Sequence, residues 1–190
     1  LDEIDAYDEM LQGSIQVLSK ALSALGVPQM AMSATLPSSF VEDMFVDEME
    51  FEDVTGEGGT FRVAADITES QPSLPEAVRE AERAIVYANT TDRAKEYYND
   101  LNRTDKVLYH SRFTRPDRQS LEEDILQRLG ESGTGGVVVM TQIGEMSLNI
   151  SADVMASDLC PIDRLAQRAG RMKRFSEEDG ELYLMRPQKN

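Results

Sequence analysis

Three observations predict an α/β fold built from parallel layers. Short apolar segments alternate with helix-length segments along most of the chain, a pattern that favours strand–helix–strand units over hairpins. The segment 136–141, Gly-Val-Val-Val-Met-Thr, is a strongly apolar strand. Hydrophobic residues make up 41% of the 190 residues, enough for a packed core.

Asp8 is placed to cap a helix over about 9–25, with Ile15, Leu18, Leu22 and Leu25 as its apolar stripe and Gly26 as its stop. Residues 27–32 read as a strand leading into Ser33-Ala34-Thr35, followed by a short helix near 38–45. The acidic, glycine-rich stretch 46–59 reads as an exposed loop, and 60–66 as a strand. Pro72 and Pro75 mark 67–75 as a linker. Beyond it come a helix near 75–82, a strand at 83–88, a helix at 91–101 and a strand at 106–111. A helix at 116–129, the strand 136–141, a strand at 154–159, a helix at 162–169 and a strand at 181–185 complete the pattern. The sequence shows no internal repeat, heptad pattern or low-complexity tract.

The formal net charge is -16, and lysine is scarce: only Lys20, Lys95, Lys106, Lys173 and Lys189. Such a composition suits a high-salt setting, where screening removes self-repulsion; it also suits an ordinary acidic protein. Bulk acidity argues against a protein that coats DNA, yet leaves room for a local cationic groove. No apolar run approaches the ~20 residues needed to cross a bilayer, and the acidic start is unlike a secretory signal. Cys160 is the single cysteine and His110 the single histidine, so no disulfide or Cys/His zinc set can form within the sequence. A cytoplasmic protein with no membrane partner is expected, with Cys160 as buried filler.

The octet Gln167-Arg168-Ala169-Gly170-Arg171-Met172-Lys173-Arg174 spaces three arginines three apart. On a helix this would align Gln167, Gly170 and Arg174 on one face, with Arg168 and Arg171 beside them. Such a face suits a triphosphate, because a guanidinium offers phosphate a fixed fork of donors. A basic surface helix is the plainer reading. Asp2-Glu3 and Ser33-Ala34-Thr35 are uninformative alone, but their order along the chain matters. Asp-Glu, Ser-Ala-Thr, the Thr141-Gln142…Glu145 segment and Gln-Arg-x-Gly-Arg-x-x-Arg together resemble motifs II, III, V and VI of superfamily 2 helicases. The spellings Asp2-Glu3-Ile4-Asp5-Ala6-Tyr7-Asp8, His110-Ser111-Arg112-Phe113-Thr114, 141–153 and Asp158-Leu159-Cys160-Pro161-Ile162-Asp163-Arg164-Leu165 resemble the CRISPR-associated helicase of type I interference systems.

That resemblance implies two RecA-like parallel-sheet lobes: 1–75 as the C-terminal part of a first lobe truncated at its N-terminus, and 76–190 as a nearly complete second. It implies ATP hydrolysis at the lobe interface, with ATP and Mg2+ as cofactors and 3′ to 5′ movement on single-stranded DNA. Asp2 would bind Mg2+ through water, and Glu3 would be the catalytic base. Ser33 and Thr35 would couple hydrolysis to lobe movement. Thr141, Gln142 and Glu145 would lie between the DNA groove and the nucleotide cleft. Gln167 would position the γ-phosphate and its water, Arg171 and Arg174 would be arginine fingers, and Arg168 would brace the acidic pair. His110, Ser111 and Arg112 would contact the DNA backbone, although His110 also reads as packing at a strand end. Tyr97, Tyr98 and Phe113 are candidates for base stacking, with core packing the expected role of at least one tyrosine.

Asp5 stands where the family commonly has histidine. The sequence contains no Gly-x-x-x-x-Gly-Lys-Ser/Thr loop and no His-Asp nuclease pair. A fragment is therefore expected, partnered by nuclease and phosphate-loop regions of the same protein and by a CRISPR surveillance complex. The isolated chain is expected to turn over no ATP. The alternatives are another superfamily 2 helicase, or a non-catalytic RecA-like module.

Overall fold

The computed structural model describes residues 9–29, 73–145, 148–176 and 178–186. The chain divides into two compact units, Leu1–Glu57 and Gly58–Asn190. In the first unit, helix α1 spans Glu9–Ala24. Gly26, at φ 68°, ends it: its N–H donates to the Ser23 carbonyl at 2.9 Å, and the Val27 N–H reaches back to Leu22 at 3.0 Å. This paired closure needs a left-handed residue at the glycine position, so the expected stop is real. The buried face differs from the expected stripe. Ile15 and Ser19 are buried, while Leu18 is 54% and Leu25 is 77% exposed. Positions 15, 19 and 22 lie on one face at helical spacing, and 18 and 25 fall on its flank. Residues 27–29 are irregular where a strand was expected. The expected cap Asp8, the rest of that strand, and the elements placed in 33–72 lie outside the described residues.

The described part of the second unit is a three-layer α/β structure. Helix α2 (Glu76–Glu80) precedes β1 (Arg83–Tyr87), α3 (Thr91–Asp100), β2 (Lys106–Tyr109), α4 (Arg115–Leu129) and β3 (Gly136–Met140). A single 3-10 turn (Gln142–Glu145), β4 (Val154–Asp158), α5 (Ile162–Ala169) and β5 (Glu181–Met185) follow. The five strands are all parallel, in the order β2-β3-β1-β4-β5. Val86 of β1 is in register with Val139 of β3 and Ala156 of β4.

Side chains alternate between the faces of a strand, and β1 shows what covers each face. Ala84 and Val86 pack with Val78 of α2 and with Ala94 and Tyr97 of α3. Ile85 and Tyr87 pack with Ile125 and Leu129 of α4 and Ala169 of α5. Burial on both faces accounts for the uninterrupted apolar run of β3. Thr90 caps α3 by accepting the Arg93 N–H at 3.2 Å, and Thr114 caps α4, with Pro116 in its first turn. The strands end one or two residues earlier than the expected ranges, while α5 and β5 fall where the sequence placed them. Among the described residues, no helix is long and apolar enough to cross a membrane.

Entry into β3 depends on Gly136, which has a φ of 141°. A Cβ there would lie 2.6 Å from the Asp105 carbonyl oxygen. Gly136→Ala should therefore lower unfolding free energy by about 1–3 kcal/mol from backbone strain, with the clash adding to it. Urea denaturation measures this, and an unchanged midpoint would mean that the strand entry relaxes freely.

Candidate functional site

The chain leaves β1 toward β2 on one side and leaves β4 toward β5 on the other. Their adjacent carboxyl ends are therefore a topological switch point, where open α/β sheets place ligands. Asn89 follows β1, the Thr141–Glu145 segment follows β3, and Ser157 and Asp158 close β4. Arg168, from α5, fills the space among them.

Arg168 is 1% exposed. Its Nε donates to Glu145 Oε1 at 2.7 Å, and one terminal nitrogen reaches the same oxygen at 2.6 Å. The other donates to Ser157 Oγ at 2.8 Å and to the Asp158 carbonyl at 3.3 Å. Asn89 Oδ1 accepts at 3.5 Å. The guanidinium lies 4.9 Å from the Tyr87 ring centre. Burial pushes the Tyr87 phenol up to about 12, with Arg171 opposing the rise. Asp158 is bound in turn by the Asn89 N–H at 2.9 Å, Arg93 Nε at 3.1 Å and the Tyr97 hydroxyl at 2.7 Å.

The arginine octet does not form one helix. Helix α5 ends at Ala169, with Gly170 as its cap. The chain then turns: the Arg171 N–H bonds the Arg168 carbonyl, Met172 pairs with Ala152, and Lys173 adopts a φ of 47°. The helical face expected for Gln167, Gly170 and Arg174 is therefore absent. Arg171 is buried, and its two terminal nitrogens donate to the carbonyls of Glu145 and Leu148, while its Nε has no partner. Arg174 is exposed and makes no ion pair among the described residues. Its backbone N–H donates to Ser151 Oγ at 2.9 Å. Gln167 is half-buried on α5.

The structure thus brings Glu145, Arg168 and Arg171 together. Thr141 is buried at the end of β3, and Gln142 is exposed beside it. Asp2, Glu3, Ser33 and Thr35 lie outside the described residues. His110 is 5% exposed, its ring stacked on Phe113 at 4.3 Å, and burial holds its imidazole below the usual range. Ser111 and Arg112 are exposed, with Arg112 facing Asp92 at 3.5 Å. Tyr97 is a core residue bonded to Asp158, and Tyr98 lies under Lys106 Nζ at 4.2 Å. Cys160 is half-buried rather than fully buried filler, and burial raises its thiol. Sequence reasoning missed Asn89, Ser157 and the role of Asp158. The polar residues closing apolar strands at 89 and 157–158 were the available signal.

Sheet order and the switch-point cluster define a RecA-like α/β domain. The family model described as CRISPR-associated nuclease/helicase Cas3, C-terminal, matches residues 80–177, more than half of the chain. The chain belongs to that family. It is 29% identical over 232 residues to the CRISPR-associated nuclease/helicase Cas3 of Streptococcus thermophilus, covering 100% of this chain and 24% of the relative. It is also 29% identical over 218 residues to the CRISPR-associated endonuclease/helicase Cas3 of Escherichia coli (strain K12), covering 92% and 24%. The crystal structure of T. fusca Cas3-ATP shares the fold with a TM-score of 0.80 at 23% identity, over 100% of this chain and 29% of that one. The chain spans about a quarter of the length of the curated relatives it matches.

Removing one member of a buried ion pair leaves the other uncompensated. Glu145→Ala should therefore lower unfolding free energy by about 3–5 kcal/mol in chemical denaturation. The apolar pair Glu145→Leu with Arg168→Met should cost less than either single change; a larger loss in the double variant would refute this account of the cluster.

Proposed function

We propose that this chain is part of an ATP-dependent DNA helicase of CRISPR antiviral defence, coupling ATP hydrolysis to 3′ to 5′ movement on single-stranded DNA in the cytoplasm. Family membership supports the helicase class, and ATP is the nucleotide named with the similar T. fusca structure. Residues 1–75 would complete a first RecA-like lobe and 76–190 would form the second. The rest of the same protein and a CRISPR surveillance complex are the proposed partners.

The observation that carries this reading is the joint hold of Arg168 and Arg171 on Glu145. Arg168 binds the Glu145 carboxylate and Arg171 its carbonyl. The segment expected to face DNA is thereby tied to the turn expected to face nucleotide. A displacement of either one would then be passed to the other through these buried bonds.

The described residues fit the cationic half of a triphosphate site. Arg174 presents an exposed guanidinium, and the buried Arg171 Nε lacks a partner. Mg2+ would rest on Asp2 through water, as the family resemblance implies. Bound ATP would supply the phosphoanhydride bond whose cleavage drives movement. Glu3 would accept the proton of the attacking water, Gln167 would orient that water, and Arg174 would donate to the γ-phosphate. Arg171 would serve as second finger through its unpartnered Nε, keeping its bonds to the carbonyls of Glu145 and Leu148. Ser33 and Thr35 would relay lobe closure; Arg168, expected to brace the Asp2-Glu3 pair, is buried with its nitrogens on Glu145, Ser157 and Asp158 and would instead set the placement of Glu145. His110, Ser111 and Arg112 would line the DNA path with Thr141 and Gln142; the exposed Ser111 and Arg112 would make its phosphate contacts.

In the full-length protein, Arg174→Ala should lower DNA-stimulated ATP turnover by roughly 10³, the scale of arginine fingers elsewhere. Its melting temperature should hold, because the side chain is exposed. Turnover equal to that of the unaltered protein would remove Arg174 from the reaction.

A further inference from the structure

The side chains that the proposed mechanism leaves unused converge on Asp158, at the carboxyl end of β4. Its carboxylate is 2% exposed and is held from both sides of the sheet end. Oδ1 accepts from Arg93 Nε at 3.1 Å and from the Tyr97 hydroxyl at 2.7 Å, both on α3. Oδ2 accepts from the Asn89 N–H at 2.9 Å. Asn89 then spans the switch point: its Nδ2 donates to the Leu159 carbonyl at 2.7 Å, and its Oδ1 faces Arg168 at 3.5 Å. Arg93 also reaches the Arg186 carbonyl beyond β5, at 3.3 Å. The ends of β1, β4 and β5 are therefore joined through one carboxylate.

Helix α5 needs such an anchor. It has eight residues, and Pro161 at its start offers no side-chain cap. A helix this short does not hold itself in place. Beside the packing of Leu165 and Ala169 on the core, its polar fixed points are Arg168, near its end, and the Leu159 carbonyl, just before it.

We infer that Asp158 and Asn89 are positioning residues, which fix α5 through Arg168 and Leu159 and so aim Gln167 and the turn carrying Arg171 and Arg174. This rests on the ATP-driven function proposed above. Neither residue touches nucleotide or DNA in this account; each acts through another side chain. The carboxylate is required because all its neighbours donate. In Asp158→Asn the new amide NH2 must face either the Asn89 N–H or Arg93 Nε, a donor against a donor in both orientations; the Tyr97 hydroxyl can turn to accept, but Arg93 cannot.

The test uses the full-length protein with single-stranded DNA. A misaimed catalytic group lowers turnover without weakening ground-state binding. Asp158→Asn should cut kcat for ATP by about 10²-fold and Asn89→Ala by about tenfold, with KM within about twofold, since small misplacements have effects of this size. The double variant should be no slower than Asp158→Asn, because the two residues act in series. Arg103→Ala is the stability control. It removes bonds to Asp105 and to the Arg79 and Ala81 carbonyls at the amino ends of the strands, and kcat should hold. Alkylation of Cys160 by iodoacetamide without nucleotide, followed by peptide mass spectrometry, reads the β4–α5 joint directly. Asp158→Asn and Asn89→Ala should speed it by about tenfold, as local opening would, and Arg103→Ala should not. Additive losses, a raised KM at unchanged kcat, or Cys160 rates equal to wild type would overturn the inference. Should Asp158→Asn fail to fold, Asn89→Ala, altered at an exposed side chain, decides alone. If the unaltered protein hydrolyses no ATP, the proposed function fails, and the Cys160 rates still decide whether these residues hold α5.

Discussion

A guanidinium buried at the carboxyl end of a parallel sheet constrains everything around it. Arg168 cannot shed its charge, and in a dry interior an unpaired cation is prohibitively unfavourable. Every element within reach therefore supplies an acceptor: a carboxylate from the 3-10 turn after β3, a hydroxyl and a carbonyl from β4, and an amide oxygen from the loop after β1. These partners come from segments far apart in sequence, and satisfying one side chain fixes their mutual distances. The apolar layers build the sheet, and the arginine determines how its carboxyl end is finished.

The three arginines of the octet share a residue type and a spacing, and the fold gives them three different tasks. Arg168 binds side chains, Arg171 binds backbone carbonyls, and Arg174 is left exposed. Local chain direction separates them. Helix α5 carries Arg168 inward, and the turn after Gly170 directs Arg171 to the carbonyls of Glu145 and Leu148 and leaves Arg174 exposed. On a chain whose formal charge is -16, Arg174 is an exposed cation with no ion pair among the described residues.

Much of the second unit was legible from the residues. The apolar runs at 83–87 and 136–140 act locally, so the sequence reveals them, whereas the threonine caps before α3 and α4 were not foreseen. The octet was legible as a run of cations but not as geometry, because arginine spacing implies a face only while a helix continues. It stops at Gly170, and the pairing of Met172 with Ala152 that redirects the chain is a contact between distant residues. The buried line of α1 was misplaced for a related reason: leucine at 18 and 25 fits a stripe by periodicity, and only packing shows that 15, 19 and 22 face inward. Asp158 and Asn89 were unreadable as a pair, since their bond joins positions 69 residues apart.

The strand order carries a consequence for how the polypeptide is made. β3 lies between β2 and β1, so two strands leave the ribosome before the one that must separate them. Neither can take its final partner until Gly136–Met140 has emerged. Both meanwhile present open edges, which in a nascent chain invite pairing with other molecules. Threading an almost wholly apolar strand into that opening delays completion of the sheet, because contacts between distant parts of a chain form slowly. Between the translation of Tyr87 and that of Met140, β1 and β2 therefore lack the neighbour they share, and that interval is open to misassembly.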